Sequence, residues 1–112
     1  MREESVFNKV KKILDSTRRR EPLWWYRTHG GGRTKIGLPD IHVTYYGRSV
    51  WIELKKPGGK ASKIQLRRIK EIKAAGGIAF VADCAEDVHS GLLAVMAKLS
   101  PAELATAILT CK

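Results

Sequence analysis

Asp40 stands at the start of one apolar run, and Glu53 and Lys55 close the next. Ile41-His42-Val43-Thr44-Tyr45 alternates and is rich in β-formers, and Tyr46-Gly47-Arg48 supplies a turn. Val50-Trp51-Ile52-Glu53-Leu54-Lys55 is a second β-rich run, so the segment predicts a hairpin. Strand side chains alternate, which places Glu53 with Lys55 on one face and Ile52 with Leu54 on the other; Asp40 and His42 likewise oppose Ile41 and Val43. Two carboxylates and an ammonium therefore converge. Carboxylate oxygens are the ligands Mg²⁺ and Mn²⁺ prefer, and such an ion polarises a phosphodiester and lowers the pKa of an attacking water. A lysine on the same face can orient that water or stabilise developing negative charge. Taken alone, an E-x-K at a strand end is more often a solvated charge pair, and the surrounding residues decide between the two readings.

Those residues are Gly37-Leu38-Pro39-Asp40, then Val50-Trp51-Ile52-Glu53-Leu54-Lys55, then Gly58-Gly59-Lys60-Ala61-Ser62-Lys63-Ile64-Gln65, then Gly76-Gly77. In this order they resemble the PD-(D/E)xK nuclease superfamily and, within it, the virus-type replication and repair nucleases (VRR-NUC) in their small stand-alone, phage-like form. The similarity covers roughly residues 1 to 90. It implies that Asp40, Glu53 and the Leu54 backbone carbonyl bind metal, that Lys55 is the catalytic lysine, that Gln65 opens the helix after the second strand beside the site, and that the first helix supplies a glutamate. Stand-alone members are similar in architecture to Holliday-junction resolvases, which implies a homodimer.

For the glutamate of the first helix the chain offers Glu3 and Glu4. At about 100° per residue, Glu3 lies within the apolar stripe of Val6, Val10, Ile13 and Leu14, whereas Glu4 falls to its side, so Glu3 is the expected site residue. Both acids would also suit the positive end of a helix dipole. Gln65 has two readings as well. Ser62-Lys63-Ile64-Gln65 is a capping-box pattern, yet Gln65 aligns with Ile69 and Ile72 on an inward stripe where an amide needs a partner; a site-facing Gln65 is expected.

The elements that must position these groups fit one α/β domain over residues 1–112, with no visible repeat. The periodicity predicts a helix over 2–18, a strand near Leu23 to His29, a loop through Gly30-Gly31-Gly32 to Gly37, the hairpin, a helix over Ile64 to Ala75 ending at Gly76-Gly77, and a buried strand over Ile78 to Ala82. Asp83 with Glu86 would cap a helix from about Cys84 to Leu99, and Ser100-Pro101-Ala102-Glu103 is a capping box for a last helix over 100–112, which either covers the core or pairs with a second copy. The expected fold is a restriction-endonuclease-like α/β domain: a small mixed sheet of about four strands flanked by helices, in the order α-β-β-β-α-β-α-α. A strand–helix–strand unit from Val50 to Ala82 with parallel neighbouring strands would be right-handed.

Charge indicates the partner. Lys and Arg number 21 against 11 Asp and Glu, a net charge of +10, and such a surface attracts the phosphate backbone of nucleic acid. Arg33, Lys35, Lys56 and Lys60 flank the proposed site and are the expected phosphate contacts, whereas Lys70 and Lys73 suit a solvated helix face. His29, His42 and His89 lack metal-site spacing, and Cys84 and Cys111 form no C-x-x-C, so no zinc site is expected. His42 shares a face with Asp40, but a packed histidine is the commoner case. Trp24, Trp25 and Tyr26 suit core or interface more than base stacking, with at most one of them reaching DNA. Gly30-Gly31-Gly32 matches neither a P-loop nor a dinucleotide fingerprint, so no nucleotide cofactor is expected. With no bilayer-length apolar stretch, an acidic start and unpaired cysteines, a cytoplasmic protein is expected. These residues point to a Mg²⁺- or Mn²⁺-dependent endonuclease acting on branched, flapped or junction-like DNA. The alternatives are a basic DNA-binding module that does not cleave and a restriction-type nuclease reading a short site.

Overall fold

The computed structural model describes residues 2–28 and 35–103. Helix α1 (Glu3–Arg18) is followed by strands β1 (Leu23–Arg27), β2 (Ile41–Tyr45) and β3 (Arg48–Leu54), helix α2 (Lys63–Ala74), strand β4 (Ile78–Ala82) and helix α3 (Ala85–Ala97). A further helical turn opens at 101–103, and the rest of the expected last helix, with Cys111, lies outside the described residues, as do His29 and the run from Gly30 to Arg33. The sheet order is β1-β2-β3-β4. β1 and β3 each run antiparallel to β2, and β4 runs parallel to β3 across the α2 crossover. This is the mixed four-stranded sheet and the element order expected from the sequence.

Local chemistry explains each boundary. The hairpin turns through Tyr46 at φ 50° and Gly47 at φ 76°, the two left-handed residues of a tight loop whose twist matches that of its strands. Tyr45 therefore pairs with Arg48, and β3 starts two residues earlier than the apolar run suggested. β1 is correspondingly shorter than expected and ends at Arg27. α2 carries a complete capping box at Ser62 and Gln65, and its chain reverses through Gly76 at φ 91°. Ser100 and Glu103 form the second box as expected, each accepting the other's backbone N–H. The start of α3 differs. Its N-cap position is Cys84 without a side-chain cap; Asp83 instead accepts the Gly58 N–H, and Asp87 rather than Glu86 folds back onto the Asp83 N–H.

Alternation divides the sheet into two faces. Leu23, Ile41, Val43, Tyr45, Val50, Ile52, Leu54 and Ala82 point inward and join Val6, Phe7, Val10 and Leu14 of α1 with Val88, Leu92 and Val95 of α3 in one core. Each fully buried aliphatic side chain contributes about 1.5–3 kcal/mol, so this layer holds the strands in register. Trp25 belongs to the inner face: its indole Nε1–H donates to Asp15 and its ring meets Phe7 edge-on. α2 packs on the opposite, outer face, against β4. No helix among the described residues is long and apolar enough to cross a membrane.

Candidate metal and nuclease site

β2 begins and β3 finishes at the same end of the sheet. The register pairs Ile41 with Ile52 and His42 with Trp51, so one step further along it sets Asp40 opposite Glu53 on the outer face. Gly37 reaches φ 80° just before Pro39 and Asp40. A Cβ there would lie 2.8 Å from Ile64 Cγ1 and 3.0 Å from the Ile64 carbonyl oxygen, so glycine is required both for the turn and for the approach of this loop to the start of α2. The Thr28 N–H donates to the Asp40 carbonyl at 2.7 Å, and the Leu54 N–H donates to Asp40 Oδ2 at 2.9 Å. Asp40 is thereby fixed through both backbone and side chain. Leu54, whose carbonyl the family resemblance assigns to metal, meets the site here through its N–H.

Glu53 is the deepest member, 1% exposed. Its Oε2 takes two donors, Gln65 Nε2 at 3.0 Å and Lys55 Nζ at 3.5 Å. Its Oε1 is buried with no hydrogen-bond partner. Burial first, then the charge of Asp40, push the Glu53 carboxyl up to about 8, against a smaller opposing pull from Lys55. A buried anionic oxygen without a donor is costly. A proton on Glu53 answers that mismatch, and a bound cation would answer it equally.

Gln65 fills both of its expected roles at once. Its Oε1 accepts the Ser62 N–H at 2.8 Å, completing the cap of α2, while its Nε2 reaches Glu53. The two ends of one amide tie the helix start to the acid.

The choice between the first two glutamates is also visible. A carboxylate oxygen from each of Glu3, Asp40 and Glu53 lies within 4.8 Å of the others. Glu4 points elsewhere, to Arg27 Nη2 at 2.9 Å and Nη1 at 3.2 Å, and that guanidinium in turn covers the Phe7 ring. Glu3 is exposed rather than buried in the apolar stripe of α1; it reaches the site from the first turn of the helix.

Three carboxylates with one oxygen lacking a donor form a hard-oxygen donor set, which fits Mg²⁺ or Mn²⁺ and not a soft-ligand metal. A second acidic group, Asp83 and Asp87 with Cys84, also has ligand atoms within 4.8 Å of one another, but both its carboxylates already accept backbone N–H groups. Lys35, Lys56 and Lys60 are exposed on segments flanking the site, and Arg33 lies outside the described residues. Lys70 and Lys73 are exposed on α2.

His42 lies flat on Trp51, with ring centroids 3.9 Å apart and planes 11° apart, and burial lowers its pKa. Trp51 stands two residues before Glu53 on the same strand face, where alternation alone assigns it no chemistry. Among the aromatic residues of β1, Trp24 and Tyr26 are 53% and 41% exposed on the outer face while Trp25 is turned inward. Two of the three rings of this cluster therefore face outward and one is turned to the core. A scan against protein-family models finds no match to this chain, and a search of curated proteins finds none.

Proposed function

We propose that this protein is a Mg²⁺- or Mn²⁺-dependent endonuclease that hydrolyses DNA phosphodiester bonds, with branched, flapped or junction-like DNA as its substrate. The observation that carries the reading is the meeting of Glu3, Asp40 and Glu53 oxygens within 4.8 Å of one another, beside a lysine that shares the Glu53 face. Asp40, Glu53 and Glu3 would hold the ion, with the Leu54 carbonyl as a further ligand by resemblance to the VRR-NUC nucleases. Bound there, the ion would supply Lewis acidity toward a phosphate oxygen and lower the pKa of an attacking water.

The chain's own residues supply the rest. Gln65 and Lys55 occupy one oxygen of Glu53 and so leave the other directed to the ligand. The Leu54 N–H does the same for Asp40. The Lys55 ammonium, largely shielded from solvent, is placed to orient the water and to offset charge as the phosphorus becomes pentacoordinate. Lys35, Lys56, Lys60 and Arg33 would draw the backbone toward the acids; a net charge of +10 suits a polyanion. The resemblance to the VRR-NUC nucleases also implies a homodimer, which would present two sites to two strands.

The test incubates purified protein with labelled linear duplex, flap and four-way-junction DNA in Mg²⁺, Mn²⁺ or EDTA, beside a Glu53→Ala variant. Metal-dependent cleavage that the variant loses supports the nuclease. Tight binding without cleavage under every condition would instead make the protein a DNA-binding module.

A further inference from the structure

The outer face of the sheet carries a continuous row of rings that leads to the acids. Tyr26 of β1 pairs with His42 of β2, and His42 pairs with Trp51 of β3, so one row of the sheet presents three rings from three strands. The rings touch: Tyr26 meets His42 edge-on at 5.4 Å, and His42 stacks on Trp51 at 3.9 Å. Trp24 extends the row along β1, 5.3 Å from Tyr26. Asp40 and Glu53 occupy the next row on the other side, two residues beyond His42 and Trp51, a separation of about 7 Å along the strands. Ser49 holds the inner rings by their edges, accepting from Trp51 Nε1 at 2.9 Å and lying 3.2 Å from His42 Nε2. His42 and Trp51 are thus fixed, while Trp24 and Tyr26 stay open to solvent.

Such a face needs an occupant. Exposed rings on a rigid sheet offer π-faces to any flat partner; α2 covers the β4 edge of this face, where Ala79 and Val81 lie, and on β1 to β3 the side chains beside the rings, Thr44 and Ser49, are hydroxyls rather than the aliphatic residues that fill a core. A second copy would bring another net charge of +10 against this one. A nucleic-acid strand brings the opposite charge together with stackable bases, and bases can stack on protein rings only where they are unpaired.

We infer that the row formed by Trp24, Tyr26, His42 and Trp51 is a stacking platform for unpaired bases, which binds a single-stranded DNA segment and leads it to Asp40 and Glu53. This rests on the nuclease reading and narrows its substrate: the strand beside the acids enters unpaired, as in a flap or an opened junction arm. Trp24 and Tyr26 hold the outer bases, and the His42–Trp51 pair supports the base nearest the acids.

The experiment titrates the full-length protein in EDTA, where no cleavage occurs, with a short oligothymidylate, an abasic oligonucleotide of the same length and a duplex, reading tryptophan fluorescence and anisotropy. Oligothymidylate is expected to quench fluorescence and to bind at least 10-fold more tightly than the abasic strand, with most of the quench lost in Trp24→Phe. Trp24→Ala and Tyr26→Ala should each weaken oligothymidylate binding on the order of 10-fold and leave abasic and duplex binding within about 2-fold of wild type. Both rings are exposed, so circular dichroism and melting of these variants should match wild type. Equal affinity for the normal and abasic strands, or variants that bind as wild type does, would overturn the platform. So would sedimentation showing a dimer that Trp24→Ala dissociates while oligothymidylate binding is unchanged, since a second copy would then cover the face. Cleavage is read separately on the same strands in Mg²⁺ and Mn²⁺: base-dependent quenching without cleavage supports the platform while failing the nuclease reading.

Discussion

At the scale of single residues, the site is a problem of charge placed where water cannot reach. Glu53 keeps its proton up to about 8 in the folded chain, whereas in the unfolded chain it ionises near 4.5. The folded state therefore holds the extra proton between those values, and the stability this lends is whole below pH 4.5 and is lost as pH rises toward 8. Without divalent ions, the melting temperature should fall as pH is raised from about 7 to 8, above the range in which the lowered pKa of His42 acts in the opposite sense; adding Mg²⁺ or Mn²⁺ should flatten the fall, and Glu53→Gln should abolish it. A metal-free melting curve with no slope over that range would contradict the assignment of the buried proton. Lys55→Ala should lower the cleavage rate on the order of 100-fold or more while DNA affinity in EDTA changes little, because the ammonium acts on developing charge rather than on docking. Glu3→Gln should slow turnover far more than Glu4→Gln. The latter removes a surface pair with Arg27, worth about 0–1 kcal/mol of stability, and the reverse order of rates would move the helix acid to Glu4.

At the scale of elements, the site is a junction between a loop, a hairpin and a helix start. Gly37 lies against Ile64, and Ile64 precedes the glutamine that holds Glu53. Gly37→Ala would need a left-handed backbone and would press on the Ile64 carbonyl. The expected cost is about 1–3 kcal/mol of stability, together with a fall in cleavage larger than this loss explains, since displacing Gln65 releases Glu53. Thermal melting and single-turnover rates on one preparation separate the two effects. The Gly37-Leu38-Pro39-Asp40 segment and the capping box are therefore not independent signatures: one is shaped to fit the other.

At the scale of the whole molecule, the proposed function asks this small basic domain to attract DNA through its own surface, with a net charge of +10. Lys35, Lys56 and Lys60 are exposed on segments that flank the acids in the chain, and each phosphate they neutralised would release counterions. Replacing all three with alanine should reduce the slope of log affinity against log salt by roughly 2–3 and weaken duplex and single strand alike, unlike loss of Trp24. An unchanged slope would place the DNA path elsewhere on the surface.

Much of this arrangement was already determined by the order of residues. Alternation on either side of a two-residue turn is a local rule, so the placement of Asp40 and Glu53 on one sheet face followed from the chain alone, as did both capping boxes and the order of elements. Helical spacing separated Glu3 from Glu4 for the same reason. Only the tertiary structure decided where that first turn would arrive, because no local pattern relates α1 to a strand end far along the chain. It also decided that Gln65 caps and holds an acid at once, since that depends on α2 crossing the outer face close to Glu53. The rings of β1 show the boundary between the two. Strand alternation separates Trp25 from Trp24 and Tyr26, but which side faces solvent was set by α1 and α3 burying the inner face. Trp51 joined the outer row only when register brought it beneath His42.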